Sequence, residues 1–238
     1  MKAIVLAGGR GTRLSPYTQI LPKPLMPLGD TPILEILIRQ MGRSGIQEVI
    51  LTVGHLSELI KTYFGDGEKL GVKISYSFET TPLGTSGPLS LIGGLNETFL
   101  VTNGDVLCNL AFDELIEYHK QTGAIATISM YQREVNINLG VMQLMNGKNQ
   151  VTGYIEKPSY VYPVSMGIYV FEPQVLEYIP RNQYLDFPDL VLKMIKNGEK
   201  VMGYPFDGYW RDLGRPGDYE EAAGDFSARR DEFLPEDK

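Results

Sequence analysis

An α/β fold, forming one domain over residues 1–238 with a mixed, mainly parallel central sheet flanked by helices, is the architecture that three observations predict. Short β-branched runs alternate with longer amphipathic runs through the first half, a βαβα texture that implies parallel strands covered by helices. Closely spaced strand patterns follow from residue 124, which adds antiparallel strands to that sheet. No Ser/Gly/Pro linker, internal repeat or low-complexity tract divides the chain.

Taken in order, the runs at 2–6, 48–53, 72–77 and 98–102 read as strands. The stretches 31–43, 56–64, 86–93 and 111–121 read as helices; in the last, Phe112, Leu115, Ile116 and His119 keep helical spacing, which places His119 on a helix surface. The second half predicts strands at 124–131, 139–145, 150–155, 164–171 and 200–206, with helices at 173–178 and 187–197 and a last helix from 217. The aromatic set Tyr154, Tyr160, Tyr162, Tyr169 and Phe171 reads as core or subunit interface rather than as a stacking platform. Residues 225–238 form a charged C-terminal tail, expected to fray or lie on the surface.

Composition narrows the function. Lys and Arg total 22 against 29 Asp and Glu, a net charge of −7, so no general basic surface serves nucleic acid or an anionic membrane. The single cysteine, Cys108, has no disulfide partner, and with only two histidines, His55 and His119, there is no Cys/His metal cluster. That usage points to a reducing cytoplasm, with Cys108 as a small buried hydrophobe. The opening residues have no signal-peptide pattern, and no apolar run approaches the roughly 20 residues of a membrane span.

The opening run Ala3-Ile4-Val5-Leu6 passes directly into Ala7-Gly8-Gly9-Arg10-Gly11-Thr12-Arg13-Leu14, then Pro22-Lys23-Pro24. Glycines let successive backbone N–H groups turn toward one anion, and Arg13 and Lys23 bring fixed positive charge. The dinucleotide fingerprint would need a third glycine where Arg13 or Leu14 stands, and the Walker loop needs Gly-Lys-Ser/Thr. A nucleoside triphosphate is the expected ligand. In a parallel sheet, ligands bind outside the strand C-termini, where both the Gly-rich loop and Asp105 fall.

This opening resembles the sugar-1-phosphate nucleotidylyltransferases, or NDP-sugar pyrophosphorylases, closest to the mannose-1-phosphate and heptose-1-phosphate guanylyltransferases. Further matches follow in order: Pro82-Leu83-Gly84-Thr85-Ser86-Gly87, Asn103-Gly104-Asp105, Glu156-Lys157-Pro158, Gly167-Ile168-Tyr169 and Trp210-x-Asp212-Leu213-Gly214, covering 1 to about 217. The resemblance implies a Rossmann-like nucleotidyltransferase domain that joins an NTP to a sugar 1-phosphate and releases pyrophosphate, with Mg²⁺ as cofactor and a homodimer or larger homo-oligomer as the plausible assembly. The nucleophile is already ionised, so the reaction needs charge neutralisation and alignment rather than a dedicated base.

Residue by residue, the resemblance makes Leu6, Ala7, Gly8, Gly9, Gly11, Thr12, Arg13, Glu79, Pro82, Leu83, Gly84, Thr85 and Asp105 nucleotide-binding. It makes Arg13, Lys23 and Lys157 catalytic. Gly140, Glu156, Lys157, Ser165 and Gly167 would receive the sugar phosphate, and Asp105 with Asp212 would hold Mg²⁺. Ser165-Met166-Gly167 departs from the Asn-Ala-Gly of many relatives. The segment Glu79 to Gly87 resembles the guanylyltransferase base loop, which points to GTP with mannose or heptose 1-phosphate and leaves other NTPs and sugar 1-phosphates open. A metal-dependent glycosyltransferase would need Asp-x-Asp where this chain has Asp105-Val106-Leu107. A silent regulatory subunit has no physical need for the cations and acids together.

Overall fold

Alternation along Lys2–Leu6 (β1) sets the architecture: Ala3 and Val5 enter one buried apolar layer and Ile4 enters the other, so the strand is covered on both faces. The computed structural model describes residues 1–9 and 11–235. After β1 come 3-10 turns at Thr12–Leu14, Tyr17–Gln19 and Lys23–Leu25, then a small clip of β2 (Pro27–Leu28) and β3 (Thr31–Pro32). The chain continues through α1 (Ile33–Arg43), β4 (Glu48–Val53), α2 (Ser57–Phe64), β5 (Lys73–Phe78), β6 (Phe99–Asn103), β7 (Val106–Cys108) and α3 (Phe112–Thr122). The second half contributes β8 (Ala126–Asn136), β9 (Val141–Leu144), β10 (Val151–Ile155), β11 (Ser159–Phe171), α4 (Phe187–Lys196), β12 (Val201–Phe206), β13 (Trp210–Asp212), α5 (Pro216–Ala228) and α6 (Arg230–Phe233).

Seven strands form the central sheet in the order β12-β8-β11-β6-β1-β4-β5. Six run parallel, and β11 alone is reversed, pairing antiparallel with both β6 and β8. The order reverses at β1, which pairs with β4 on one side and β6 on the other, so a crevice opens at the C-terminal ends of β1 and β6. Helices α1, α2 and α3 pack on one face through Leu34, Leu37, Ile60 and Leu115. On the other face α4 packs through Phe187, Leu190 and Met194.

Several expectations are corrected. The predicted helix at 86–93 is a 3-10 helix, Gly87–Leu91, because Pro88 and the backbone bonds from Ser86 and Gly87 to Leu185 hold the segment in a loop path. Of the strands expected as antiparallel additions, only β11 is reversed within the sheet; β9 and β10 form a separate hairpin. The aromatic set divides: Tyr169 and Phe171 are buried and stack with Phe187, whereas Tyr154 and Tyr162 are exposed. Short pairings by β7 and β13 were not anticipated, since three-residue strands carry no readable period.

Residues 225–235 of the expected surface tail are anchored instead. Phe226 and Phe233 are fully buried with Leu14, Leu28 and Leu213, while Arg229 pairs with Glu232 and Arg230 with Asp30 at the surface. High charge there marks the outer face of an amphipathic segment, and the aromatics supply the inner one. Residues 236–238 of that tail lie outside the described residues. Cys108 is buried as expected, and loss of water pushes its thiol up to about 11, leaving it protonated and inert at neutral pH.

His119 is buried rather than on a helix surface. Its ring nitrogens reach Thr127 Oγ1 at 2.8 Å and Glu172 Oε1 at 3.1 Å, and Glu172 Oε1 also accepts a bond from Thr98. Burial lowers the pKa of His119 below 6.5, against an opposing pull from Glu172. A depressed histidine pKa means that the unfolded chain binds protons first as pH falls. Stability is therefore lost from about pH 6.5 downward toward the lowered folded value. Melting temperature should fall more steeply between about pH 7.5 and 5.5 in the wild type than in His119→Gln; parallel slopes would contradict this assignment.

Candidate active site

The Gly-rich turn begins where β1 ends. Leu6 pairs with Thr52 on one side and Asn103 on the other, so the chain leaves the sheet between β4 and β6. Ala7 N donates to Thr52 O, and Gly104 N donates to Leu6 O, both at 2.9 Å. Glycine is favoured where backbones approach: a Cβ at Gly104 would stand 2.9 Å from Leu6 O, and one at Gly54 would stand 3.0 Å from Gly8 O. Gly11 adopts φ 60° and closes the turn into the 3-10 segment that carries Arg13.

A cavity of about 730 Å³ opens above these strand ends. Leu6, Ala7, Gly8, Gly9, Gly11, Thr12, Arg13, Lys23 and Asp105 line it, and so do Glu79, Pro82, Leu83, Gly84 and Thr85. All the residues expected to bind nucleotide thus share one wall-to-wall space, assembled from segments up to about a hundred residues apart. Arg10, within the same motif, lies outside the described residues.

Lys23 is buried on the turn between Pro22 and Pro24, and its ammonium donates to Asp105 Oδ2. Asp212 reaches the same place through β13, which pairs with β7 so that Asp212 faces Val106, while Leu213 N donates to Asp105 O at 3.1 Å. Asp212 keeps an open side to solvent. Even so, loss of water on its other side, followed by repulsion from Asp105, raises its carboxyl above the ordinary value, with Lys23 and Arg13 opposing. Arg13 crosses to the end of β13, where Gly214 makes room: a Cβ there would stand 3.1 Å from Arg13 Nη1. Arg13, Lys23 and Asp105 therefore line the cavity together, and Asp212, which is absent from its lining, interacts electrostatically with all three.

No group of three or more His, Cys, Asp or Glu side chains among the described residues is placed to hold a metal. A carboxylate pair is the donor set that fits Mg²⁺, which takes one or two protein carboxylates and completes its shell with water and phosphate oxygens.

On the cavity wall beside Gly8, Glu79 Oε2 accepts a bond from Leu83 N at 3.2 Å. Half-burial raises the pKa of its carboxyl, and that Leu83 N–H pulls it back. Gly84, at φ 77°, turns the loop so closely that a Cβ would stand 2.6 Å from Leu185 O.

Residues 2–229 match the family model described as nucleotidyl transferase. The chain belongs to the nucleotidyl transferase family. It is 35% identical over 242 residues to the UTP-glucose-1-phosphate uridylyltransferase of Synechocystis sp., with 93% of this chain and 62% of the relative covered. It is also 35% identical over 230 residues to the mannose-1-phosphate guanyltransferase of Yarrowia lipolytica, covering 92% of this chain and 62% of the relative. The chain thus spans 62% of the length of these curated relatives. Among solved structures, HddC from Yersinia pseudotuberculosis superposes with a TM-score of 0.73 at 25% identity, covering 94% of this chain and 99% of that one.

The residues expected to receive the sugar phosphate stand apart from this cavity. Gly140, Glu156, Lys157, Ser165 and Gly167 are absent from its lining. Glu156 and Lys157 are exposed in a bend after β10, where Lys157 has φ 44°. Gly140 lies under the ring of the exposed Tyr154, which would have to shift to admit a Cβ. Gly167 lies directly behind the wall, since a Cβ there would stand 2.4 Å from the Nδ2 of the cavity-lining Asn103. Ser165 Oγ accepts from Gly167 N and donates to Tyr169 OH, both at 3.2 Å.

Sequence reasoning missed Thr52, Gly54, His55, Pro88 and Tyr184 as cavity-lining residues, while Thr80 and Thr81 fall in the segment 79–87 read as the base loop. Thr52 lies in the C-terminal part of β4 and Gly54 and His55 follow it, and the rule that ligands sit at parallel-strand C-termini could have found them. Thr52 Oγ1 is buried without a hydrogen-bond partner among the described residues. Tyr184 carried no local signal. No helix among the described residues is long and apolar enough to cross a membrane.

Proposed function

We propose that this chain transfers a nucleotidyl group from an NTP, preferentially GTP, to a mannose or heptose 1-phosphate, giving an NDP-sugar and pyrophosphate. The observation that carries the reading is the single cavity in which the Gly8–Thr12 turn, Arg13, Lys23 and Asp105 meet the Glu79–Thr85 loop. A sugar-1-phosphate oxygen attacks the α-phosphorus of the NTP. The bond from that phosphorus to the bridging oxygen breaks, and its electron pair leaves with pyrophosphate.

No proton has to be removed, so this chain's task is to hold anions together in line. Lys23, fixed by burial and by Asp105, neutralises charge without reorganising during transfer. Arg13 faces the outer phosphates, where negative charge accumulates as pyrophosphate leaves. Asp105 and Asp212 would hold Mg²⁺, which when bound neutralises phosphate charge. Lys157 and Glu156, with Gly140, Ser165 and Gly167, would receive the sugar phosphate from the side of the cavity beyond Asn103.

Glu79 supports the preference for GTP. A carboxylate only accepts, and guanine presents two adjacent donors on its Watson–Crick edge, whereas uracil presents one donor between two acceptors. A second reading, UTP with glucose 1-phosphate, draws on the similarity to the Synechocystis uridylyltransferase.

The test is pyrophosphate release with Mg²⁺ across GTP, CTP, UTP, ATP and dTTP against mannose, glucose, heptose and N-acetylhexosamine 1-phosphates. Strongest release with GTP and a manno-configured acceptor is expected, and a uridine-specific result would replace it with the second reading. Nucleotide binding without turnover in any pair would overturn the proposal. Glu79→Gln, which replaces half the acceptor pair by a donor, should lower the ratio of kcat/KM for GTP over UTP at least about tenfold. An unchanged ratio would remove Glu79 from base reading.

A further inference from the structure

We propose that Tyr184 is a nucleotide-contacting residue whose ring walls the base side of the cavity. The inference rests on the nucleotidyltransferase reading and extends it to a residue outside every motif of the sequence. Tyr184 lies in the loop before α4, about a hundred residues from the base loop, and lines the same cavity.

Its position is built. The Tyr184 hydroxyl donates to Asp186 Oδ2 at 2.6 Å, and Asp186 Oδ1 accepts from Thr85 N at 2.9 Å and Thr85 Oγ1 at 3.1 Å. Thr85 Oγ1 in turn accepts from Phe187 N at 2.9 Å. Between them, Leu185 N donates to Leu83 O, and Leu185 O accepts from Ser86 N and Gly87 N. The two loops therefore move as one piece, and whatever the 83–87 segment holds, Tyr184 stays beside it.

This clasp uses Asp186 and the Leu185 backbone; holding the loops together needs no aromatic ring at 184. Tyr184 nonetheless stands 64% exposed, anchored at its hydroxyl, in a cavity that Pro82, Leu83 and Pro88 also line and in which it is the one aromatic ring other than the His55 imidazole among the described lining residues. A large apolar surface kept in contact with water at a fixed place is suited to a flat apolar ligand. A nucleobase is the part of an NTP with that chemistry. Stacking is tolerant of base identity because every base has a π-face, so Tyr184 adds affinity while Glu79 selects.

The experiment is equilibrium binding with Mg²⁺ present and no sugar phosphate, using GTP or UTP, whichever the wild type binds more tightly, and inorganic tripolyphosphate as the baseless probe. Tyr184→Ala should weaken nucleotide binding about tenfold or more and leave tripolyphosphate binding unchanged. Tyr184→Phe, which keeps the ring, should stay within about threefold of the wild type. Melting temperature should hold within about 2 °C, because the side chain is largely solvent-exposed. Nucleotide affinity unchanged in Tyr184→Ala, or an equal loss for tripolyphosphate, would overturn the inference while leaving the proposed reaction standing. A wild type that binds neither nucleotide would overturn both.

Discussion

Asp105→Asn is expected to lower pyrophosphate release by at least about a hundredfold. Asn keeps the shape of the side chain but removes the charge that answers Lys23 and that, with Asp212, makes the carboxylate pair. The same substitution strands a cation. Lys23 has a side chain only 7% exposed, and its ammonium is held by Asp105, itself 27% exposed. Orphaning a buried charge costs roughly 3 kcal/mol, so the variant should also unfold at lower denaturant. The two effects separate in Asp105→Asn with Lys23→Met, where the stranded charge is gone. Stability should recover in the double variant, while activity stays low because Lys23 is also part of the site, so the catalytic role of Asp105 is read from the folded single variant at low denaturant. Wild-type activity in Asp105→Asn would take this residue out of the mechanism, and recovery of activity in the double variant would make its role structural.

Arg13→Ala is expected to lower kcat by about two to three orders of magnitude while KM for the sugar phosphate stays within about threefold. Arg13 is exposed and sits at the cavity end against Gly214, so its removal leaves the core untouched and the stability change should stay within about 0.5 kcal/mol. Arg13→Lys should recover only part of the loss, because a point charge cannot reproduce the planar fork that binds phosphate oxygens in pairs. An effect confined to the KM of the sugar phosphate would place Arg13 on the acceptor side instead. Steady-state kinetics with each substrate varied at saturation of the other makes the distinction.

The first half of the fold was legible because its elements are long and one-sided. β1, β4 and β6 are apolar runs covered on both faces, and α1 and α3 present continuous stripes, as with Phe112, Leu115 and Ile116. Legibility failed where structure is short or set by a distant partner. The segment 87–91 shows the apolar spacing of a helix, yet its path is fixed by bonds to Leu185. The charge at 225–235 concealed two buried aromatics, and His119 is polar but satisfied inside the protein by Thr127 and Glu172. Of the candidate site, the Gly-rich turn, Arg13, Lys23 and Asp105 could be read because glycines and charges at fixed spacing after a strand have few other uses. Tyr184 and Thr52 could not, since a single tyrosine or threonine has many.

By itself, the sequence determined a mainly parallel α/β sheet, a glycine-rich turn at the end of its first strand and the residue types that gather in the cavity there. These are local matters of side-chain period, glycine conformation and charge. Only the tertiary structure decided that β11 runs against its neighbours, that β13 carries Asp212 to Asp105, and that the loop at 184–187 clasps the base loop at 83–87. Each of those depends on a contact between segments far apart in the chain. Such contacts are selected by the burial and hydrogen bonding of the folded whole, and no short window of sequence contains both partners.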